Sequence, residues 1–164
     1  KIIKSKKNLY GPISNEMQFN KIKYFLNKSK DQKKKLIFGK INNFKNNFIE
    51  PIIFLDLPKN HILIKSEIFG PILTINTFDK ENEAVKFSND TNYGLSAVIC
   101  GKNKNRNYSF AKRIQAGRIW INESIDKNFP NLPIGGYKES GLNRECGKDA
   151  IKYYSEIKSI IEKK

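Results

Sequence analysis

The sequence predicts an α/β protein, a parallel sheet flanked by helices. Two observations carry that expectation. Three near-continuous apolar runs, Ile72–Phe78, Leu95–Cys100 and Arg118–Ile121, have the composition of strands buried on both faces. Helical periodicity fills the gaps between them, so strand, helix, strand, helix and strand follow in turn, with right-handed crossovers expected. The three runs are expected to be adjacent parallel strands.

The elements follow in chain order. Asn15 is a fitting N-cap, and Glu16 places negative charge in the first turn of a helix. Phe19, Ile22 and Leu26 recur at i, i+3 and i+7 as its buried stripe, which should fade near Lys33. Leu36–Phe38 reads as a short strand closed by Gly39. Asn42–Asn47 is a polar loop, and Phe48–Leu55 is extended, with Pro51 marking an edge or irregular segment. After Ile72–Phe78, Asp79 caps a helix to about Ser88. A second helix starts at Asn103 or Asn105 and ends at Ala116, stopped by Gly117. Glu123–Lys138 is a long loop of the kind that often carries function. A helix over Arg144–Tyr154 and a last strand at Ile157–Ile161 complete the chain.

At 164 residues the chain has the length of one domain. Its net charge of +15 invites a nucleic-acid reading, but Lys is spread along the whole chain with Asn and Ile. The local run of Lys28, Lys30 and Lys33–Lys35 reads as a solvated helix end, without aromatic-basic or zinc-finger spacing. Neither a nucleic-acid partner nor a membrane is therefore expected, since no apolar run approaches the about 20 residues that span a bilayer. Cys100 and Cys146 have no CxxC partner and His61 stands alone, which predicts no metal site, no disulfide framework and a reducing cytoplasm. The first residues lack both an initiator Met and the apolar core of a signal peptide, which suits a fragment.

The chemistry-bearing stretch is Glu67-Ile68-Phe69-Gly70-Pro71, an acid and a ring at one end of the sheet. It is followed by Asn89-Asp-Thr-Asn-Tyr-Gly-Leu95, Ala116-Gly-Arg-Ile-Trp-Ile-Asn122, Pro133-Ile-Gly-Gly-Tyr-Lys-Glu-Ser-Gly141 and Arg144-Glu-Cys-Gly147. In that order these blocks resemble the C-terminal part of the aldehyde dehydrogenase superfamily, in the style of the betaine aldehyde and general NAD-dependent members. The resemblance runs from about Gly11 to Ser159. It implies that residues 1–164 are the C-terminal part of the catalytic domain, with the cofactor domain and the nucleophile segment absent.

The same resemblance assigns roles. Glu67 would hydrogen-bond the ribose hydroxyls beside the nicotinamide of NAD, and Phe69 would pack against that end of the cofactor. A carboxylate, being acceptor-only, suits two neighbouring sugar hydroxyls; the plainer alternative is a helix-terminal acid and a core Phe. NADP remains open, because the residues that select between the two lie upstream. Asn122, Pro133 and Ile134 would line the aldehyde channel, aliphatic at Ile134 where relatives often carry Phe. Glu145 would sit on a proton path behind the nucleophile, and Arg144 would make structural or subunit ion pairs; the plainer reading of both is a helix-start ion pair. Gly135-Gly136 is either a motif element or simply a tight turn. Neither cysteine is expected to be the nucleophile: Cys100 falls in an apolar strand, where a thiolate is poorly solvated, and Cys146 takes a position that is apolar in many relatives. The complete protein would oxidise an aldehyde to a carboxylic acid through an upstream Cys and would be a homo-oligomer. The alternative is a non-catalytic fragment that serves as an oligomer-interaction or binding module.

Overall fold

The computed structural model describes residues 11–42, 44–124 and 129–163. The chain divides into two compact units, Lys1–Asp79 and Lys80–Lys164. Among the described residues no helix is long and apolar enough to cross a membrane.

The first unit is built on helix α1, Glu16–Asn27. Asn15 caps it as expected, its side-chain oxygen accepting from the Gln18 N–H at 2.8 Å. Ile22, Phe25 and Leu26 are buried along one face. The helix stops at Asn27 rather than near Lys33. Ser29, fully buried, donates its hydroxyl to the Phe25 carbonyl, and the basic run continues as a separate 3-10 helix, Lys30–Lys35.

Strand β1, Leu36–Phe38, is followed by a hairpin of β2, Phe44–Lys45, and β3, Phe48–Ile49. The sequence reads as a polar loop here, but Asn46 and Asn47 have φ of 50° and 63°. Both central residues are therefore left-handed, as a tight two-residue hairpin turn requires and Asn tolerates. Strand β4, Ile52–Leu55, pairs antiparallel with β1 and parallel with β5, Ile72–Ile75, giving the order β1-β4-β5. Pro51 lies before β4, so it removes no hydrogen bond from the ladder, which opens with Ile52 N–H donating to the Pro71 carbonyl. Ile52 and Phe54 are fully buried and join Ile22, Leu26, Ile49, Leu63 and Ile68 in one core. The short helix α2, Ile62–Lys65, is capped by the lone histidine: His61 Nδ1 accepts from the Leu63 N–H. At the other end of the sheet Asp56 accepts from the Thr77 N–H and hydroxyl at 2.7 and 2.9 Å. Those donors hold its carboxyl below the usual aspartate range.

The second unit holds helices α3, Glu81–Asn89, and α4, Lys104–Ala111, and strands β6, Tyr93–Gly94, β7, Ser96–Ile99, β8, Arg118–Ile121, and β9, Tyr137–Lys138. β7 and β8 are a parallel pair from Ser96↔Arg118 to Ile99↔Ile121, and β6 pairs antiparallel with β9. The α/β class and the adjacent parallel pair at 96–99 and 118–121 are as the sequence predicts, but the third expected neighbour, 72–75, pairs elsewhere. β5 pairs with β4 instead of β7, because the buried face of 52–55 makes it the central strand that Pro51 seemed to forbid.

Four further expectations fail. Lys80, not Asp79, is the N-cap of α3, and α4 ends at Ala111, short of Ala116. No α-helix forms over 144–154; a 3-10 helix covers Lys148–Tyr153. Cys146 and Gly147 have φ of 59° and 69°, which an α-helix cannot contain. Ile157–Ile161 is not a strand, and Ile157 and Ile161 are almost wholly exposed.

Glu81 ties the two helices of this unit together. Its carboxylate takes Arg106 Nε at 2.7 Å and Arg113 Nη1 at 2.8 Å, while Arg113 also reaches Asn82. The Arg106 hydrogen bond, with the charges of both arginines, lowers its pKa from the ordinary glutamate value. A carboxyl lowered in the folded state contributes stability above its unfolded pKa and loses it as pH falls through the folded one. The expected outcome is that Glu81→Gln melts below the parent at pH 7, and that the gap closes as the pH is taken below about 4. Thermal melts of both chains from pH 7 to pH 3 check this; a constant gap would place the effect elsewhere.

Candidate functional site

The Glu67–Pro71 turn enters β5 from its amino end. β4 and β5 run parallel, so this is the amino end of both strands. Ligands of open α/β sheets usually bind at the carboxyl ends, so the strand-end rule does not explain this site.

What marks the turn is strain. Phe69 has φ of 53°, a left-handed conformation that costs a bulky residue on the order of 1–3 kcal/mol. Burial does not repay it, because the side chain is 72% exposed. The neighbours impose it instead. Ile68 is buried in the core on one side. On the other, Gly70 lies so close to α1 that a Cβ there would come within 2.6 Å of Ile22 Cδ1. A single nitrogen, Gln18 Nε2, donates to the Ile68 and Phe69 carbonyls at 2.7 and 2.8 Å. Glu67 is exposed, and its carboxylate makes no hydrogen bond or ion pair among the described residues. Glu67 and Phe69 share an open pocket of ≈ 360 Å³ with Leu63, Ser66, Ile68, Gly70 and Ile72. An unengaged acceptor and a presented ring on a rigid turn can hold a polyhydroxylated ring system. Gln18 carries no sequence signal beyond its place in the first turn of α1.

The remaining candidates lie in the second unit. Ile134 and Glu145 are brought together by a two-hydrogen-bond bridge between their backbones, at 2.8 and 2.7 Å. Both side chains are exposed. Pro133 is held from β8: Arg118 Nη2 donates to the Leu132 and Pro133 carbonyls at 2.9 and 3.2 Å. Asn122 sits at the carboxyl end of β8 with φ of 52°. Its amide accepts from Gly101 N–H and donates to Gly101 O, both at 2.8 Å, so the side chain continues the β7–β8 ladder where the backbone stops.

The glycine pair is structural. A Cβ on Gly117 would strike the Gly135 carbonyl, and one on Gly136 would strike Ser140. Ser140 Oγ accepts from Gly94 N–H at 2.9 Å, and Arg144 donates to Gly136 O while its guanidinium lies over the Tyr137 ring. The expected Arg144–Glu145 helix-start ion pair does not form; Arg144 braces the glycine turn. Cys100 follows β7 and is exposed, as is Cys146, so Cys100 is not enclosed in apolar surroundings as its sequence context suggests.

Fold and site together define an α/β protein with an acid-and-ring turn leading into a parallel strand. Residues 3–160 match the family model for the aldehyde dehydrogenase family, and the chain belongs to that family. It is 35% identical over 158 residues to aldehyde dehydrogenase (NAD(P)+) 1 of Saccharomyces cerevisiae, covering 94% of this chain and 31% of that protein. Among solved structures it is similar to an NAD-dependent aldehyde dehydrogenase of Sinorhizobium meliloti, with TM-score 0.84, 33% identity, and coverage of 94% of this chain and 31% of that one. It is also similar to a cysteine-to-alanine mutant of aldehyde dehydrogenase C of Pseudomonas syringae in complex with NAD+ and octanal, with TM-score 0.80, 34% identity, and coverage of 88% and 30%. The chain thus spans about a third of the length of the relatives it matches.

A strain that folding does not need should be removable. Phe69→Gly is expected to stabilise the chain by about 1 kcal/mol, the relief of left-handed strain less the added freedom of glycine. Ile68→Ala, one residue away, is expected to cost about 2–5 kcal/mol. Urea unfolding of the two variants checks the contrast, and a marked destabilisation by Phe69→Gly would show that the ring serves the fold.

Proposed function

We propose that this chain is the C-terminal part of the catalytic domain of an NAD-dependent aldehyde dehydrogenase, and that its own contribution is to hold the nicotinamide end of the coenzyme and one wall of the aldehyde channel. The observation that carries the proposal is the Glu67–Phe69 turn, where strained backbone presents an open carboxylate and an exposed ring side by side. These residues fit such a ligand. Glu67 accepts hydrogen bonds from two adjacent ribose hydroxyls, and the Phe69 ring offers a flat apolar surface to the nicotinamide side. When bound, NAD, or NADP in the same way, supplies the hydride acceptor.

The nucleophile is a cysteine thiolate outside this chain. It adds to the aldehyde carbon to give a thiohemiacetal; loss of hydride leaves a thioester, and water releases the carboxylic acid. Pro133 and Ile134 form an aliphatic stretch of the channel, with Asn122 setting the end of β8 beside it. Glu145, joined to Ile134 through the backbone, passes a proton in this reading when the thioester is hydrolysed. The complete protein works in the cytoplasm as a homo-oligomer.

In the enzyme that contains this segment, Glu67→Gln is expected to raise the coenzyme KM or lower kcat by about 10- to 150-fold. That range corresponds to the loss of a charge-assisted hydrogen bond worth about 1.5–3 kcal/mol. The aldehyde KM should stay near the parent value. Steady-state kinetics with each substrate varied in turn checks the split, and unchanged constants would show Glu67 to be structural only. Cys100→Ser and Cys146→Ser should each leave kcat within about twofold. The 164-residue chain by itself should form no NADH from an aldehyde, and turnover abolished by either serine substitution would overturn the assignment of the nucleophile.

A further inference from the structure

We infer that Gln18 is a positioning residue for the coenzyme: its carboxamide locks the Ile68–Phe69 peptide units and so sets where Glu67 and Phe69 stand. The inference rests on the proposed coenzyme role of that turn. Successive carbonyls of an extended chain point in opposite directions, yet those of Ile68 and Phe69 converge on one nitrogen, at 2.7 and 2.8 Å. They can do so only because Phe69 has turned to φ of 53°. The two amide hydrogens of Gln18 match two acceptors, so both carbonyls are satisfied by one group.

The anchoring of Gln18 makes the lock stiff. Its own N–H is tied to the Asn15 cap at 2.8 Å, and one turn later Ile22 is fully buried against Gly70. The donor therefore sits on a helix turn that is capped at one end and packed into the core at the next, whereas the exposed Phe69 side chain has little packing of its own. Core contacts at Ile68 and Gly70 fix the two ends of the turn. Among the described residues, only the Gln18 contacts act on the peptide planes between them, which help set the direction of the Phe69 ring. Without them the turn would stay folded but would sample other ring positions, and a coenzyme would have to select the competent one.

The test uses the enzyme containing this segment, with Gln18→Met, which keeps length and helix propensity but has no donor, and Gln18→Lys, which restores a donor at similar reach. The expected result for Gln18→Met is a rise in coenzyme KM, or a fall in kcat, of about tenfold. Aldehyde KM and Tm should stay close to the parent, and Gln18→Lys should recover most of the loss. Parent-like coenzyme KM and kcat in Gln18→Met overturn the inference, as does a fall in Tm that tracks the kinetic loss in both variants. The underlying coenzyme assignment fails separately, if Glu67→Gln leaves the kinetics unchanged. A readout independent of turnover is the equilibrium dissociation constant for the coenzyme, which should rise about tenfold in Gln18→Met and return towards the parent value in Gln18→Lys.

Discussion

The contact between Gly70 and Ile22 is the constraint on which the rest of the first unit depends. A residue without a Cβ lets the turn before β5 lie directly on α1, and the fully buried Ile22 leaves no slack on the other side. Everything that makes the turn chemically useful follows from that approach. It brings Gln18 within reach of two carbonyls, it leaves Ile68 as the inward anchor, and it forces the intervening Phe69 outward into a conformation that a bulky residue avoids. Strained residues persist where the surroundings over-determine them, and such places are concentrated at functional sites.

The two units are held by different forces. The apolar core cluster, from Ile22 to Ile68, lies wholly in the first unit. In the second, Ala84 and Ile114 are the buried hydrophobic residues among those described, so directed interactions carry more of the cohesion. Asparagines act there as pieces of backbone. Asn89 bridges the Arg113 carbonyl and the Gln115 N–H, the buried Asn107 donates to Gly101 O, and Asn122 closes the strand pair at the same glycine. A chain rich in Asn and Lys can build a domain in this way because each amide satisfies a donor and an acceptor at once.

That division bears on function. A strained turn needs a dense support, and the turn carrying Glu67 and Phe69 has one. Pro133, Ile134 and Glu145 are instead fixed through backbone bonds, with Arg118 and the glycine clasp as braces, and their side chains are left exposed.

The sequence by itself determined the α/β class, the presence of strands within 72–78, 95–100 and 118–121, the Asn15 cap and the motif blocks that mark the family. Each is a local pattern, written in periodicity, caps or fixed spacing, and family blocks keep their order whatever the packing. It also showed Glu67 and Phe69 as an acid and a ring beside a turn. The tertiary structure decided which strands are neighbours, since β4 and β5 pair across 16 intervening residues through a core that no local window contains. It decided against a helix at 144–154, where Glu145 is drawn into a bridge with Ile134 and the backbone turns left-handed at Cys146 and Gly147. It also showed Gln18 as the clamp on Phe69, 51 positions away, and the glycines at 117, 135 and 136 as a close approach of backbones. These depend on atoms distant in sequence meeting within a few ångströms, and that proximity exists only once the core has formed.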